Sequence, residues 1–470
     1  MKIFLIVLIV LICNTTYGAE IPADNISIHI KALSSERYAG RLSGSSGGLE
    51  AGEYVAEEFR KSGLMPAVGG SYFQPFYIVT KKIGRDNQLS ISKEQFKIFE
   101  DYVPLSVCPS GGITGKIRFA DVDGDLKGKV AVIRFNEAAK DEWLASKIKD
   151  VENKGAIAIL ILKKDLYSDY TVWNELISPT LHARWEKSLK EDLHHFLKMK
   201  ISQKMYLSPP VTSNIPCIIV RENRIAIDKI SGEDVSIKVD IGEDKISARN
   251  VIGYLPGKGK NKDEVVIIGA HYDHLGLDSK GRHFPGADDN ASGIAAMLHV
   301  AKKFSGKAPD RTVVFIAFDG EEWGLVGSRY YTNYPVYPLE KTVLMINMDA
   351  IGRNEPESIH FLGSLRNPDI REAAGKAADN AGIKLFDDIE FAFKYGSDHY
   401  PFYEKGIPAI DLTSSYHEDF HRITDTADKV SADKVSKISE FVFRLIHDVA
   451  ESEIYFQKPL QVEVPFPGQR

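Results

Sequence analysis

The chain has 470 residues, enough for two compact units or for one large unit carrying an insertion. It is 43% hydrophobic and 26% charged, with 59 basic against 65 acidic residues and a net charge of −6, a profile that excludes a disordered or fibrous chain. With no basic excess and no dense Lys/Arg run, a nucleic-acid partner is excluded as well.

In chain order, Lys2, an apolar run at 3–12, and the small residues Gly18 and Ala19 before Glu20 predict an export signal over residues 1–19. That run is too short to anchor a bilayer, so the expectation is a secreted or periplasmic protein without stable membrane insertion. Removal of the signal takes Cys13 and leaves Cys108 and Cys217, which an oxidising compartment either joins or leaves as two buried thiols. Residues 24–63 open with helix: Leu49, Tyr54, Val55 and Phe59 recur at helical spacing and the run stops at Gly63. Residues 72–100 read as short strands with turns.

Between 107 and 240, apolar strands at 130–133, 156–162 and 216–220 alternate with charged stretches, the texture of an inserted β-rich module. After Asn250, apolar runs at 265–268, 312–317, 343–346 and 409–412 alternate with helical segments such as 293–304, where Ile294, Met297, Leu298 and Ala301 share a face. The predicted fold class is therefore α/β, a mixed, mostly parallel sheet with helices on both faces, plus the insertion. Residues 20–106 and 241–455 form its discontinuous main unit. Residues 456–470, with Pro459, Pro465 and Pro467, form a tail.

The chemistry follows the strands. The run at 265–268 leads to His271 and Asp273, that at 312–317 to Asp319, Glu321 and Glu322, that at 343–346 to Asp349, and that at 409–412 to His417 and His421. Open α/β sheets carry their sites at the carboxyl ends of strands, so these groups can meet in one crevice. The stretch GADDNASG at 286–293 adds Asp289 just before a helix. Any one of these carboxylates alone is more often a cap or a surface charge, Asp289 included. Their joint placement, with histidine and without cysteine, suits zinc held by nitrogen and oxygen ligands.

The ordered motifs HYDHLG, GADDNASG, FDGEEWGLVGS, NMDAIG, SDHYPF and YHEDFHRITDT resemble the co-catalytic zinc aminopeptidase family, whose relatives include the glutamate carboxypeptidases and the glutaminyl cyclases. The resemblance covers most of 30–105 and 245–450. GKIRFADVDG, LKGKVAVIRF, NKGAIAILIL and IPCIIV make 107–240 similar to a protease-associated domain. The resemblance implies two zinc ions per chain and peptide substrates: His271 and Asp349 on one ion, Glu322 and His421 on the other, Asp289 bridging them. It implies Glu321 as general base, Asp273 as the group that fixes the His271 tautomer, and a cis peptide after Asp289.

Where several relatives carry Tyr before the last histidine ligand, this chain has Phe420, so oxyanion support falls to Tyr416, His417, His399 or the metals. His417 rivals His421 as a ligand, but Thr424, Asp425 and Thr426 follow His421 at the family's spacing. His274 and His283 flank the motifs and could line the cleft. The implied activity is removal of N-terminal residues. A carboxypeptidase, for which Arg353 could clamp the substrate carboxylate, a glutaminyl cyclase, and a receptor-like member without catalysis are the alternatives.

Overall fold

The structure is a computed structural model that describes residues 24–98, 100–105, 108–121, 125–135, 141–164, 213–225, 230–278, 281–387 and 396–460. The export signal expected at 1–19 and the tail beyond 460 lie outside the described residues. Among the described residues, no helix is long and apolar enough to cross a membrane.

Helices α1 (Asp24–Leu33) and α2 (Ser46–Lys61) open the chain. Ser45 caps α2 by accepting the Gly48 N–H, and Gly63, at φ +78°, closes it. Strands β1 (Met65–Pro66) and β2 (Phe73–Ile83) then lead away into a second unit. That unit comprises β3 (Gln88–Ile91), β4 (Glu94–Phe96), β5 (Tyr102–Pro104), β6 (Gly111–Phe119), β7 (Lys129–Arg134), α3 (Asp141–Asn153), β8 (Ala158–Lys163), β9 (Cys217–Arg221) and β10 (Asp234–Val239). The chain returns through β11 (Ile241–Leu255), β12 (Val265–His271), α4 (Gly293–Phe304), β13 (Thr312–Phe318), α5 (Val326–Asn333), β14 (Thr342–Met348), β15 (Ser358–Leu362), α6 (Pro368–Ala381), β16 (Lys384–Asp387), α7 (Tyr400–Glu404), β17 (Ala409–Thr413) and α8 (Ala432–Ala450).

The large sheet is nine-stranded, in the order β1-β11-β13-β12-β14-β17-β15-β16 with β2 alongside β11. Its centre, β13-β12-β14-β17, is parallel, and antiparallel pairs flank it at β11 and β15. Every residue of β12, β13 and β14 is buried, as continuous apolar runs require when both faces are covered. Alternation divides them between two cores. Val266, Ile268, Val313, Phe315, Leu344 and Ile346 face α1, α2, α4, α6 and α8, while Val265, Ile267, Val314, Ile316 and Met345 face Tyr331 of α5 and Phe402 of α7. Each such Val, Ile, Leu or Phe stabilises the fold by about 1.5–3 kcal/mol relative to exposure.

The second sheet is eight-stranded, β4-β3-β10-β6-β7-β8-β9-β5, with β6, β7, β8 and β9 parallel. One expectation changes here. Residues 88–104, assigned from sequence to the main unit, belong to this second sheet: Leu89 and Ile91 pair with Ile237 and Val235, and Tyr102 and Val103 with Val220 and Ile219. A short apolar alternation shows that a strand exists but not which distant strand it joins, so the junction at 106/107 falls too late. The unit instead hangs from a continuous ribbon in which β2 pairs with β11 from Phe73↔Val251 to Ile83↔Ile241. Cys108 and Cys217 are both free and buried, and the Cys108 thiol donates to the Leu105 carbonyl.

Candidate metal centre

The parallel centre of the large sheet aims its carboxyl ends at one place. His271 is the last residue of β12, the loop after β13 carries Glu321 and Glu322, and Asp349 directly follows β14. Asp289 comes from the turn Ala287–Ser292 at the head of α4, and His421, at φ +56°, from the loop after β17. The Asp289–Asn290 peptide is cis.

These side chains meet as two groups sharing one carboxylate. His271 Nε2 lies 3.2 Å from Asp349 Oδ1 and 3.3 Å from Asp289 Oδ1. On the other side of Asp289, His421 Nε2 lies 2.9 Å from Asp289 Oδ2 and 3.3 Å from Glu322 Oε2. Two donors on one tetrahedral zinc, each at about 2.05 Å, stand about 3.3 Å apart. The donor spacing therefore fits zinc, as does a set made only of imidazole nitrogens and carboxylate oxygens, with His271 and Asp289 buried and His421, Glu322 and Asp349 partly so.

Electrostatics tie the groups together. Burial works to raise the Asp289 carboxyl, but the His271 and His421 rings overcome it and hold it well below the ordinary carboxylate range. Glu322 is held at about 2 against burial, chiefly by His421. Burial disfavours the charged His421, yet Glu322 and Asp289 push it up to about 10, and Asp349 and Glu321 likewise raise His271. Without a metal, imidazolium charge does the neutralising, so loading a cation must expel those protons.

Glu321 belongs to neither group. Burial lifts its carboxyl well above the ordinary range, His271 opposes this, and Glu322 and Asp349 add to it. A carboxyl raised in this way suits proton transfer near neutral pH. Its backbone N–H donates to Asp273 Oδ1 at 3.1 Å, that of Glu322 to Asp273 Oδ2 at 3.3 Å, and Ser43 Oγ donates to the same Oδ2 at 3.1 Å. The expected grip of Asp273 on the His271 ring takes a different form. Its carboxylate stands 3.7 Å from Nδ1, and its backbone carbonyl is nearer, at 3.3 Å. Its acceptor capacity is spent instead on the Glu321–Glu322 backbone.

Two histidines exchange importance relative to the sequence. His274 Nδ1 lies 2.7 Å from Glu322 Oε1 and 3.8 Å from Asp289 Oδ2, which places it beside His421 in the second group. Its only local signal is its place three residues after His271 in HYDH. His417 turns away, with Nε2 3.3 Å from Asp288 Oδ2 and Nδ1 accepting the Asp419 N–H. Tyr416, by contrast, is 37% exposed, and the nearby carboxylates Asp349, Glu321 and Asp289 push its hydroxyl ionisation up and keep it a donor. His283 Nε2 lies 3.2 Å from the Ser34 carbonyl, and His399 is buried at the head of α7. Arg353 is engaged, donating to Asp419 Oδ2 at 2.9 Å with Asp425 4.0 Å away.

Residues 250–446 match the family model of Peptidase family M28. The chain is 24% identical over 347 residues to Aminopeptidase YwaD of Bacillus subtilis (strain 168), covering 71% of this chain and 65% of that protein. It is 31% identical over 211 residues to a Glutamate carboxypeptidase 2 homolog of Caenorhabditis elegans, covering 39% of this chain and 26% of that protein. The chain thus spans less than two thirds of the length of these two relatives. Among solved structures, an aminopeptidase from Aneurinibacillus sp. strain AM-1 superposes with a TM-score of 0.62 at 21% identity, covering 94% of this chain and 97% of that one. BSAP, a zinc aminopeptidase from Bacillus subtilis, gives 0.57 at 19% identity, covering 94% and 98%. These likenesses establish the shared mixed α/β fold.

Proposed function

From the premise that the chain belongs to peptidase family M28 through residues 250–446, we propose that it is an exported zinc-dependent aminopeptidase that hydrolyses the N-terminal bond of peptides. The observation that carries this reading is the pair of His/carboxylate groups sharing Asp289, His271–Asp289–Asp349 and His274–Asp289–Glu322 with His421 against the second, and Glu321 beside them and outside both. His271 and Asp349 would hold one ion, Glu322 and His421 the other, with His274 at hand on that second side. Two zinc ions bound there would supply a water of lowered pKa and a Lewis acid for the scissile carbonyl.

The chain's own residues do the rest. Glu321 takes the proton of the attacking water and returns it to the leaving nitrogen. Asp273 fixes the Glu321–Glu322 backbone so that base and ligand keep their separate directions. Tyr416 takes the oxyanion-donor role that Phe420 cannot fill. A carboxypeptidase needs a cation free to clamp a carboxylate, and the pairing of Arg353 with Asp419 weighs against that reading. Retention of the Glu321 base weighs against a non-catalytic member. Export rests on Lys2 and the apolar run behind it, and the second unit is read as a protease-associated domain from its sequence likeness.

The test is a panel of peptides blocked at one end or the other, with metal content measured on the same dialysed sample. The expected result is cleavage of carboxyl-blocked peptides, none of amino-blocked ones, and close to two zinc ions per chain. Cleavage only of peptides with a free carboxylate would make it a carboxypeptidase. One ion with ring closure of N-terminal glutamine would make it a cyclase.

A further inference from the structure

Arg41 is among the largest fully buried side chains of the protein, 0% exposed, yet among the described residues it makes no ion pair with a carboxylate. Its guanidinium has five N–H donors, and five backbone carbonyls receive them. Nε donates to Tyr272 O at 2.8 Å, Nη1 to Leu33 O and Pro285 O at 2.7 Å each, and Nη2 to Gly286 O at 2.9 Å and Asp289 O at 3.4 Å. Tyr272 stands between His271 and Asp273, while Pro285, Gly286 and Asp289 build the turn that presents Asp289. One planar group therefore spans the two loops on which the first metal group and the shared carboxylate stand.

The backbone around Arg41 is shaped for this contact. Gly40 sits at φ +71° and donates no side chain because a Cβ there would lie 2.1 Å from the Gly276 carbonyl. The Gly40 carbonyl instead accepts the Gly276 N–H at 2.9 Å, and the Arg41 carbonyl accepts the His274 N–H at 3.2 Å. Gly286, at φ +53°, leaves room on the other side, since a Cβ would meet the Asp289 carbonyl at 2.2 Å and the Arg41 guanidinium at 2.7 Å. Burial lowers the guanidinium to about 10, against the pull of Asp289, Asp425, Asp273 and Glu322, so it stays charged at neutral pH. With its five donors on neutral carbonyls, it leaves a full positive charge behind a cluster of carboxylates.

Resting on the zinc-centre reading above, we infer that Arg41 is a positioning residue for that centre: it locks the Tyr272 and Pro285–Asp289 carbonyls to one another, so that His271 and Asp289 stand at one-ion spacing before any ion arrives. The ordering of ligands is then done by the fold, and binding zinc does not have to do it. Lysine cannot replace it, because three donors from one point cannot span carbonyls that a planar fork reaches from two sides.

The experiment measures zinc affinity of the full chain by competition with a chromophoric chelator, beside far-UV circular dichroism and the melting temperature of the metal-free protein. Arg41→Lys and Arg41→Ala are expected to keep the secondary structure and to lose about 10–100-fold in zinc affinity, the scale for groups that orient ligands. Low-millimolar guanidinium should recover part of that loss in Arg41→Ala, and methylammonium should not. Folded variants that melt earlier but bind zinc as tightly as the unaltered chain would overturn the inference. A variant that folds only when guanidinium is added, and then binds zinc normally, supports it. One that no guanidinium recovers assigns Arg41 to the fold alone and overturns it. His271→Ala is the control: if the unaltered chain binds no more zinc than this variant, the zinc-centre reading itself falls. If only the Arg41 variants match the unaltered chain, that reading stands and the clamp does not.

Discussion

The two sheets are built by the same rule and end differently. Each has a parallel centre of buried, β-branched strands, β12–β14 in one and β7–β9 in the other. In the large sheet the strands run out into His271, Glu321, Glu322 and Asp349, whereas β7, β8 and β9 end on Arg134, Lys163 and Arg221, with a single carboxylate, Glu222, directly after β9. Among the described residues, both of the groups able to hold a metal ion lie on the large sheet. The parallel sheet supplies a place where loops converge, and the residues just past each strand decide whether that place does chemistry.

The sharpest test of the comparison is made on adjacent residues past β13. On the function proposed above, Glu321→Gln removes a proton acceptor that ligates no ion, so turnover should fall by about 10²–10⁴-fold with zinc content and melting temperature nearly unchanged. Glu322 lies 2.7 Å from His274 and 3.3 Å from His421, so Glu322→Gln should lower zinc occupancy as well as rate, and added zinc should restore part of the activity. Zinc loss in the first variant and retention in the second would swap the two roles. Full activity in both would remove the hydrolase reading.

What the sequence could disclose is set by how local each signal is. The strands after Asn250 and the helix Gly293–Phe304 are legible because their apolar pattern needs no partner to be recognised. The convergence of His271, Asp289, Glu322, Asp349 and His421 on one spot is legible because each follows a strand or opens a helix. His274 was not assigned, because its partner Glu322 arrives from a loop 48 residues later. The same holds for Arg41, whose contacts with Tyr272 and Gly286 span more than 230 residues. The unit to which β3 and β5 belong is hidden for a related reason: their partners β10 and β9 lie more than a hundred residues away, and such pairing leaves no trace in a three- or four-residue alternation. His417 and His421 were separable in sequence only by their neighbours, and the backbone separates them physically by turning His421 at φ +56°.

Matched core truncations in the two sheets should separate stability from chemistry. Leu160 in β8 and Ile268 in β12 are both 0% exposed, and replacing either by Ala should cost about 2–5 kcal/mol. Leu160→Ala should still bind zinc and turn over an aminoacyl substrate at 25 °C, because its core contains no site residue. Ile268→Ala should lose turnover by more than its folded fraction explains, since His271 ends the same strand three residues on. Equal losses of activity per folded molecule would mean that the second unit takes part in catalysis on small substrates, and the contrast would fail.

Acid should distinguish the two units by the smallest margin. His299 in α4 is 5% exposed, and burial, helped by Lys303, lowers it from 6.5 to about 4. The sign follows from linkage: between those values the unfolded chain binds a proton at His299 that the folded chain refuses, so the contribution of this group to stability falls as pH drops from 6.5 towards 4 and is unaffected above. That contribution should amount to a loss of about 2 kcal/mol by pH 5 and about 3 kcal/mol below pH 4. Among the described residues the second unit holds no histidine and has no corresponding proton uptake in that window. Segment-resolved hydrogen exchange between pH 7 and pH 5 should therefore show protection falling first in α4 and in α8, which packs on it, while β7 to β9 change less. His299→Gln, neutral throughout, should flatten the loss in α4 and leave the second sheet as it was. A pH slope that survives this substitution would place the acid-sensitive group elsewhere.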